Sequence, residues 1–421
     1  MKILVLNSGS SSQKSSLYQI DETLPDDPPT PLWEGKIEWH NKVTETEVKN
    51  ARGIVQKNRA KVSSRPEAVE HLLDTLSNGE TRAIASLAEI DVVGHRVVHG
   101  GPKYEEPVSL TPEVRAGIVN VSAFAPLHNR AELEGMEIIE KFLGRVPQVA
   151  VFDTGFHCRL PPAAAVYPGP YQWFENGIRR YGFHGINHQY CAGRAAKLLS
   201  RDLNSLKLVT CHLGNGCSLA AIRDGHSIDT TMGFTPLEGL MMGTRSGSID
   251  PGILTYLMRQ GRLRSEEIDD VLNKESGLLG ISGISGDMRE ILASVKKSHS
   301  RAKLAFDIYV HRLQAGIGAM VAVLGGIDAL IFSGGIGENS ADVRDAACKP
   351  LAFLGLNLDD AANGQHTSDG DIATPDSTVR VLIIRAQEDW AIARECWHLM
   401  RAPEADDRCL TLSGKQQTRT L

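Results

Sequence analysis

The chain contains 421 residues, which at roughly 100–200 residues per domain suggests two or three domains. Its 45 basic and 51 acidic residues give a net charge of −6, so no global positive field attracts nucleic acid, and we expect no nucleic-acid partner. Apolar residues make up 42% and charged residues 23%, as in ordinary globular proteins, which excludes extended disorder.

The first predicted element is a β-strand with the sequence KILVLN at residues 2–7. Its apolar run is too short to be the core of a secretory signal peptide. The seven cysteines include no C-x-x-C pair, and their odd number indicates neither a disulfide framework nor a zinc ribbon. We therefore expect a cytoplasmic protein with reduced thiols.

This strand runs into a glycine and serine loop that contains Lys14. The loop resembles a triphosphate-binding loop, but Gln13 stands where such a loop has a glycine. Because residues 16–20 alternate as in a strand, the segment predicts a β-hairpin. Its turn presents Asn7, Ser10, Ser12 and Lys14. Such a turn can hold phosphate oxygens, although on this pattern alone an ordinary serine-rich turn is preferred.

Further strand-like runs alternate with helical patterns. The strand-like runs are IDVVGHRVVH, VPQVAVFD, LKLVTCHLG, DALIFSGGIG and VRVLIIR, and the helical patterns include AELEGMEIIEKFL and LAFDIYVHRLQAGIGAMVAVL. This alternation predicts an α/β fold. The prolines of DETLPDDPPTP exclude regular structure there, and ECWHLMRAPEADDR predicts a solvated helix that leads into a polar tail.

The longest apolar stretch runs from Ala315 to Phe332 and approaches the length of a membrane span. Gly325, Gly326 and Asp328 divide it into a helix, a turn and a strand. We therefore expect no membrane segment.

A second glycine-rich turn, from His212 to Gly216, again lies between two strand-like runs. Its Asn-Gly pair is typical of a tight hairpin, while Gly216 would also let a backbone amide approach an oxyanion. The flanking Cys211 and Cys217 are expected to be buried and unreactive. Two such hairpins suggest two related halves, as in actin, sugar kinases and Hsp70 ATPases, where ATP phosphates lie between two domains.

A third glycine-rich segment, LIFSGGIGENS, ends a strand and opens a helix. Its Gly335, Ile336 and Gly337 allow close backbone approach to a nucleotide. A nicotinamide-binding fold could use such glycines, but no complete G-x-G-x-x-G follows a strand in this chain, so this alternative is disfavoured.

A series of longer sequence blocks resembles the acetate kinase family over residues 1 to about 398. The blocks are VLNSGSSSQK, GHRVVHGG, APLHN, VFDTGFH, RRYGFHG, HLGNG, DTTMGFTPLEGLMMGTRSGSIDP, SGISGDMRE, GGIGENS and EDWAIARE. The resemblance implies an α/β fold of two related actin-like (ribonuclease H-like) domains with an interdomain nucleotide cleft. It implies an N-terminal domain of residues 1–153 plus about 388–403, a C-terminal domain of residues 154–387, and a flexible tail at 404–421.

The resemblance also implies reversible, Mg²⁺-dependent transfer of a phosphoryl group from ATP to acetate, giving acetyl phosphate and ADP. Mn²⁺ could replace Mg²⁺. It further implies a cytoplasmic homodimer without membrane partners. Two alternatives stay open: a propionate- or butyrate-preferring kinase, since one methylene group provides only about 1–3 kcal/mol of discrimination, and an Hsp70- or actin-like ATPase.

Carried over residue by residue, the resemblance implies a role for each matching position. Asn7 and Glu388 fall where the family holds magnesium, and the catalytic positions are Asp153, His184 and Arg245. The substrate positions are Arg96 for the carboxylate and Val98, Leu127, Phe183 and Pro236 for the methyl group. The nucleotide positions are Lys14, His212, Leu213, Gly214, Asn215, Gly216, Asp287, Met288, Arg289, Gly335, Ile336, Gly337, Glu338 and Asn339.

The chemistry of phosphoryl transfer agrees with these residue types. The transition state spreads negative charge over phosphoryl oxygens, so catalysis depends on positioning and on cationic stabilisation. Acetate is already ionised at neutral pH, because its pKa is near the side-chain carboxyl value of about 4, and no general base is required. We therefore expect Asp153 to orient Mg²⁺ or Arg96 rather than to remove a proton.

The chain departs from the family pattern at a few positions. Arg130 replaces a proline beside the methyl pocket, Met288 replaces an aromatic residue, and Ala386-Gln387 replaces Thr-Asn before the metal position. These changes put acyl-chain preference and metal affinity in doubt, but they delete no charge that the mechanism needs.

A few basic and histidine side chains have both a structural and a functional interpretation. His128 and His212 could contact phosphate or form hydrogen bonds with the backbone. Arg179 and Arg180 are interpreted as a solvated flank of the YGFHG segment.

Overall fold

The computed structural model describes residues 1–9, 12–40, 43–62, 64–122, 126–365 and 368–402. Ser10 and the predicted tail at 404–421 lie outside the described residues, as do the side chains of His40 and of residues 126–130, which include Leu127, His128 and Arg130.

The described strands form two sheets. The first sheet, in the order β5-β4-β3-β2-β1-β6-β8-β7, contains β1 (Lys2–Ser8), β2 (Ser12–Gln19), β3 (Trp33–His40), β4 (Val43–Asn50), β5 (Val55–Lys61), β6 (Val92–Val97), β7 (Val108–Ser109) and β8 (Gln148–Phe152). The second, in the order β11-β10-β9-β12-β14-β13, contains β9 (Lys207–Leu213), β10 (Cys217–Arg223), β11 (His226–Thr230), β12 (Ala329–Ser333), β13 (Gly370–Asp371) and β14 (Arg380–Ile383).

The two sheets repeat one topology. Antiparallel β3-β2-β1 continues into parallel β6 and β8, and antiparallel β11-β10-β9 continues into parallel β12 and β14. Each repeat therefore starts with one of the two hairpins that the sequence predicts. The expected α/β class with two related halves is confirmed.

Helices cover and connect the sheets. They are α1 (Arg65–Asp74), α2 (Pro112–Val121), α3 (Pro126–Leu143), α4 (Pro162–Ala165), α5 (Tyr171–Glu175), α6 (Gly185–Leu198), α7 (Pro251–Arg259), α8 (Ser265–Lys274), α9 (Gly277–Ser282), α10 (Met288–Lys296), α11 (Ser300–Leu324), α12 (Gly334–Asn339), α13 (Ala341–Cys348), α14 (Asp360–Gln365) and α15 (Glu388–Arg401). The apolar stretch at 315–332 is divided as predicted, because α11 ends at Gly325 in a left-handed conformation with φ of 65°. Among the described helices, none combines the length and the apolar character that crossing a membrane requires.

Two helices fill the space between the sheets. α6 packs against β9 and β12 of the second sheet and against β8 of the first, while α15 packs against β1, β2, β6 and β8. One apolar cluster unites side chains of both sheets with both helices, for example Ile3, Ile331, Ala195 and Trp390, all 0–1% exposed. The first turns of α6 and α15 consequently meet between the two halves.

The structure differs from the sequence-based expectations in several segments. Strands β3 to β5 were not predicted, because β4 and β5 have mixed or wholly polar surfaces and lack an apolar signal. The prediction of a solvated last helix from Glu395 is confirmed only in part, since His398, Met400 and Arg401 are exposed but Cys396 is fully buried. The proline-rich segment at 21–31 has no helix or strand, as predicted.

Candidate active site

The first hairpin brings a carboxamide to two carboxylates. The Nδ2 atom of Asn7, at the end of β1, donates hydrogen bonds to Glu388 Oε2 at 2.9 Å and to Asp389 Oδ1 at 3.0 Å. Ser16 on β2 donates to the other oxygen of Asp389 over 2.7 Å. Lys14, the cross-strand neighbour of Asn7, is exposed. Two positions that are 381 residues apart in sequence are therefore in direct contact.

A buried ion pair lies on the neighbouring strands. Arg96 Nη2 on β6 is 2.7 Å from Asp153 Oδ2, just after β8, and the two side chains are 13% and 1% exposed. Burial opposes the positive charge of Arg96, but Asp153 and Glu388 raise its pKa above the ordinary arginine value. Asp153 thus orients the Arg96 guanidinium, which is one of the two roles expected for it.

The same aspartate holds the turn that precedes α6. His184 has a left-handed backbone with φ of 58°, a conformation that costs a non-glycine residue about 1–3 kcal/mol. Asp153 Oδ2 accepts a hydrogen bond from His184 N at 3.0 Å, and Asp153 O accepts one from Gly185 N at 2.8 Å. A Cβ at Gly185 would lie 2.3 Å from that carbonyl oxygen, so only glycine fits there. The strained turn is therefore fixed by Asp153.

The strained turn places the His184 ring on that of His212. The ring centroids are 4.0 Å apart and the planes differ by 21°, so the imidazoles are stacked. Burial, together with the positive charges of Arg96 and Arg245, lowers the pKa of His184 well below its usual value, and burial also lowers that of His212. Both rings are therefore neutral near pH 7, and each carries one N–H group.

Arg245 completes this group from the second half. A Cβ at Gly216 would lie 3.4 Å from the His184 ring and 3.5 Å from Arg245 Nη1, so the glycine turn, the histidine and the guanidinium converge. The guanidinium makes one weak hydrogen bond, to Pro236 O at 3.4 Å. Within the described part of the chain no carboxylate lies within ion-pair distance of Arg245, and burial lowers its pKa. This cation lacks a counter-charge of its own.

Apolar side chains adjoin these groups. Val98 and Phe183 are 3% and 1% exposed and belong to one core cluster. Pro236 O accepts a hydrogen bond from Arg245. Leu127, the fourth residue predicted for the methyl pocket, has a side chain outside the described residues. Both carboxylate oxygens of Glu132 on α3 accept from Val98 N at 3.1 Å, which anchors this end of β6.

Segments predicted to bind nucleotide converge around the second hairpin. Gly243 N donates to Asn215 O at 3.0 Å, and a Cβ at Gly286 would lie 2.9 Å from Gly243 O. Asp287, the next residue, caps α10 and forms an ion pair with Arg289, whose side chain is 91% exposed. The neighbouring Met288 is 3% exposed and Leu213 is fully buried, so both residues are enclosed by the protein in this structure.

The third glycine-rich segment packs on the end of β9. Gly334 has a φ of 79°, and a Cβ there would lie 2.8 Å from Leu213 O. Glu338 Oε1 accepts from Gly334 N at 2.8 Å and from Ala386 N at 2.9 Å, while Asn339 Nδ2 donates to Gly335 O at 2.9 Å. Glu338 and Asn339 therefore stabilise the turn, in which Gly335 is exposed, Ile336 is half-buried and Gly337 is buried.

Several site residues were not identified from the sequence. Asp389 directly follows Glu388, and the doubled acidic pair was an available signal. His188 stands four residues after His184, a spacing that places two side chains on one face of a helix. Glu132 and Ser218 carry no local signal, because only the packing of distant strands brings them to the site.

One sequence-based interpretation is wrong. Arg180 is not a solvated flank, because its side chain is 17% exposed and forms an ion pair with Glu238 at 2.8 Å. It also donates to the carbonyl oxygens of Thr231 and Met232, both at 3.1 Å. The interpretation of the flanking cysteines is confirmed, since Cys211 and Cys217 are fully buried.

The oxygen atoms near Asn7 suit a hard divalent cation. Asn7 Oδ1 and Glu388 Oε1 accept no hydrogen bond from described residues, and the buried Asp153 Oδ1 likewise has no partner there. The described residues contain no group of three or more His, Cys, Asp or Glu side chains arranged to hold a metal. Mg²⁺ typically uses only one or two carboxylates and takes its other ligands from phosphates and water, so these residues fit it.

Comparisons with known proteins agree with this geometry. A sequence model described as the Acetokinase family matches residues 2–394. An acetate kinase of Nostoc sp. is 60% identical over 404 residues, which is 95% of this chain and 100% of the relative. The crystal structure of Porphyromonas gingivalis acetate kinase has a TM-score of 0.86 at 39% identity and covers 95% of this chain and 100% of that chain. A propionate kinase structure from Francisella tularensis has a TM-score of 0.84 at 38% identity and covers 94% and 98%.

Proposed function

This chain belongs to the acetokinase family, and from that membership we propose that it transfers the γ-phosphoryl group of ATP to acetate, giving acetyl phosphate and ADP in a reversible reaction. The observation that carries the proposal is the convergence of Arg245, His184 and the Gly216 turn opposite the Arg96–Asp153 pair. Arg245, with no counter-charge among the described residues, and nearby N–H donors are available to a phosphoryl group. On the other side, the Arg96 guanidinium, held in place by Asp153, is available to a carboxylate.

Acetate binds with its carboxylate on Arg96 and its methyl group against Val98, Phe183, Pro236 and Leu127. Asp153 holds the guanidinium in place, so the acetate oxygen is positioned for attack. A bond forms between that oxygen and the γ-phosphorus, while the bond from phosphorus to the β–γ bridging oxygen breaks and ADP leaves with the electron pair. No proton moves, because acetate is ionised at neutral pH.

Charge stabilisation comes from the second half of the molecule. Arg245 and the His184 ring face the same glycine turn, from which the Gly216 amide can also donate. Donors fixed in position stabilise the charge that develops on the phosphoryl oxygens without reorganising during the reaction. Lys14 contributes a further positive charge from the first hairpin.

Asn7 and Glu388, with Asp389 adjacent, are the residues that would hold Mg²⁺ or Mn²⁺. When bound, the ion neutralises charge on the phosphate oxygens of the nucleotide. The Asn7 amide keeps the two carboxylates together, which prepares oxygen ligands on a rigid strand and helix.

The proposal divides the chain between substrate and nucleotide. Residues 1–153 with 388–403 form the substrate and metal half, and residues 154–387 form the nucleotide half. In the latter, His212 to Gly216, Asp287 to Arg289 and Gly335 to Asn339 surround the nucleotide. Support comes from the packing of α15 on the first sheet and from the convergence of these segments around β9.

We also infer a cytoplasmic homodimer. The helix α7 exposes Ile253 and Tyr256, which are 45% and 55% exposed and lie three residues apart on one face of the helix. Covering such a face against a second copy would remove apolar surface from water. Sedimentation equilibrium measures the mass directly, and a monomer at micromolar concentration would contradict the dimer.

The reaction is tested by trapping its product. Purified protein, ATP, Mg²⁺ and acetate are incubated with hydroxylamine, which converts an acyl phosphate into a coloured hydroxamate. We expect hydroxamate with acetate at the highest kcat/KM, compared with propionate and butyrate in parallel arms. ATP turnover without hydroxamate from any of the three acids would overturn the proposal in favour of an ATPase, and a higher kcat/KM with propionate or butyrate would reassign the substrate.

A further inference from the structure

A chain of hydrogen bonds runs from the strained histidine into the core. His184 Nδ1 is 2.8 Å from Ser218 Oγ, which is 2.7 Å from His188 Nε2. His188 Nδ1 is in turn 2.7 Å from Thr210 Oγ1. The chain joins the first turns of α6 to the paired strands β9 and β10. None of its inner members was identified from the sequence.

The inner members of this chain are closed to solvent. Ser218 and His188 are 0% exposed, and Thr210 is 1% exposed. Burial lowers the pKa of His188 well below its usual value, with His157 and His212 acting in the same direction. Both histidines of the chain are therefore neutral, and each ring carries one N–H and one acceptor nitrogen.

Proton counting leaves three arrangements. Each hydroxyl and each neutral ring supplies one hydrogen, so either the three contacts all point in the same direction or Ser218 accepts from both rings and its own hydrogen needs another acceptor. If they point outward from Thr210, the Thr210 hydroxyl donates to His188 Nδ1, His188 Nε2–H donates to Ser218, and Ser218 donates to His184 Nδ1. The His184 proton then resides on Nε2. If they point inward, His184 Nδ1–H donates to Ser218 and the Thr210 hydrogen needs another acceptor.

The inward arrangement leaves the Thr210 hydrogen, and the double-acceptor arrangement leaves the Ser218 hydrogen, without an acceptor among the described residues, so both are disfavoured. A buried hydroxyl hydrogen without an acceptor is strongly destabilising. We propose that Ser218 and His188 are positioning residues that hold His184 in the tautomer with its proton on Nε2, so that the ring donates a hydrogen bond into the cleft.

The neighbouring His212 ring adopts the same Nε2–H tautomer through a different hydrogen bond. Asn187 Nδ2 lies 2.8 Å from His212 Nδ1 and donates to it, which leaves the His212 proton on Nε2. Asn187 is itself held by Ser333 Oγ, 3.2 Å from the same Nδ2. The stacked pair thus presents two Nε2–H groups, one fixed by Ser218 on β10 and the other by Asn187 in the first turn of α6.

The tautomer of His184 decides whether its Nε2 atom can donate a hydrogen bond to a ligand. That atom lies beside the Gly216 turn and Arg245, and it makes no hydrogen bond to described residues. An N–H there attracts a phosphoryl oxygen, whereas a lone pair would repel it. This consequence rests on the proposed function, since a phosphoryl oxygen is the group that receives the bond.

The tautomer can be read directly by nuclear magnetic resonance. In protein labelled with ¹⁵N-histidine and free of substrate, the chemical shifts of the two ring nitrogens identify the protonated one, and the His184→Asn variant identifies the His184 signals. We expect a single Nε2–H form in the wild-type protein and a mixture of both forms in Ser218→Ala. An Nδ1–H form in the wild type, or an unchanged pattern in Ser218→Ala, would overturn the inference.

Kinetics supply a second test with a matched control. Ser218→Ala should lower kcat about tenfold while leaving both KM values within twofold, as expected for loss of a group that supports a site residue. The control is Ser227→Ala, because Ser227 is equally buried and its hydroxyl lies 2.7 Å from His157 Nδ1, outside the chain to His184. Ser227→Ala should keep kcat within twofold. Equal losses in the two variants would contradict a positioning role.

A conservative variant separates positioning from packing. His188→Gln places an amide that can donate to Ser218, whereas His188→Leu fills the space without a donor. We expect the glutamine variant to retain several times the kcat of the leucine variant, and equal kcat values would oppose the inference. The wild-type tautomer is measured on the wild-type protein, with His184→Asn used only to identify the signals, so a failed fold of Ser218→Ala or His188→Leu does not block the test. If the wild type makes no hydroxamate, the proposed function fails alone; if it does but His184 is Nδ1–H, only this inference fails.

Discussion

The two sides of the cleft differ in how their charges are compensated. On the first-sheet side, Arg96 is paired with Asp153 at 2.7 Å, and the Asn7 amide bridges to Glu388 at 2.9 Å. On the second-sheet side, Arg245 has no carboxylate partner among the described residues and only a 3.4 Å bond to a backbone oxygen. Before any ligand binds, Arg96 on the first side has a counter-charge, whereas Arg245 on the second side has none among the described residues.

This difference indicates which interactions stabilise the folded protein and which groups are available to bind a ligand. Removing one member of a buried ion pair leaves an isolated charge, which costs about 3–5 kcal/mol. A cation without a counter-charge already carries that kind of penalty in the folded state, and an anionic ligand relieves it. Substitutions on the first side should therefore affect folding and activity together, and substitutions on the second side should affect activity alone.

The largest combined effect is expected for Arg96→Ala. It leaves the Asp153 carboxylate buried and unpaired, so the free energy of unfolding should fall by about 3 kcal/mol. Activity should fall by a factor on the order of 10³, since the substrate carboxylate loses its partner. Urea unfolding and the hydroxamate assay measure the two. Arg201→Ala is the control, because its exposed pair with Asp328 at 2.8 Å should contribute less than about 1 kcal/mol.

The largest difference between the effect on activity and the effect on stability is expected for Arg245→Ala. The turnover number should again fall by a factor on the order of 10³, because the variant removes a cation that stabilises the transition state. The free energy of unfolding should stay unchanged or rise slightly, since burial lowers the pKa of this guanidinium and its charge is unfavourable in the folded protein. Near-normal turnover, or a loss of stability as large as that of Arg96→Ala, would remove the distinction between the two sides.

A smaller effect is expected for Glu388→Gln. The variant retains an acceptor for the Asn7 amide but lowers the charge of the carboxylate pair, so half-maximal activity should need about tenfold more Mg²⁺. A magnesium titration at saturating ATP and acetate measures this shift. Glu395→Gln, on the same helix but away from Asn7, should leave the titration unchanged. An identical curve for Glu388→Gln would argue against metal binding there.

The last prediction concerns the pH dependence of stability and has the smallest expected effect on activity. Burial raises the pKa of Glu132 from 4.5 to about 8, while Arg96 and the hydrogen bond from Val98 partly oppose this shift. The folded protein therefore binds an extra proton between these pH values, and its stability should fall as pH rises from 4.5 to 8. Glu132→Gln should remove this part of the pH dependence, a slope of up to about 1.4 kcal/mol per pH unit, in thermal unfolding curves across that range. An equal dependence of stability on pH in Glu132→Gln and in the wild type would contradict this prediction.

The sequence predicted the elements that carry strong apolar or glycine patterns. The two hairpins at β1–β2 and β9–β10 and the strand-to-helix turn at Ser333 occur as expected. The strands β4 and β5 were missed for different reasons. β4 alternates between buried and exposed positions, but its buried face includes the polar residues Thr44 and Asn50, whereas the edge strand β5 is almost wholly exposed. Pattern reasoning succeeds where the buried face is apolar and fails where that face is polar or absent.

The same limit applies to the site. Residues in the recognisable blocks, such as Arg96, His184 and Arg245, were identified from the sequence, and their roles stay predictions that the variants above test. Ser218 and Glu132 were missed because they act through hydrogen bonds to residues 34 positions away. No local pattern encodes a contact across that separation.

By itself, the sequence determined the α/β class, the two related halves and the family. These follow from periodicity, from the placement of glycines, and from long sequence blocks that resemble the family and occur in one order. Only the tertiary structure decided that Arg96 is compensated and Arg245 is not, and that the His184 ring is supported from behind by Ser218 and His188. The physical reason is that charge compensation and proton position depend on distances of about 3 Å between segments distant in the chain, which residue order alone does not specify.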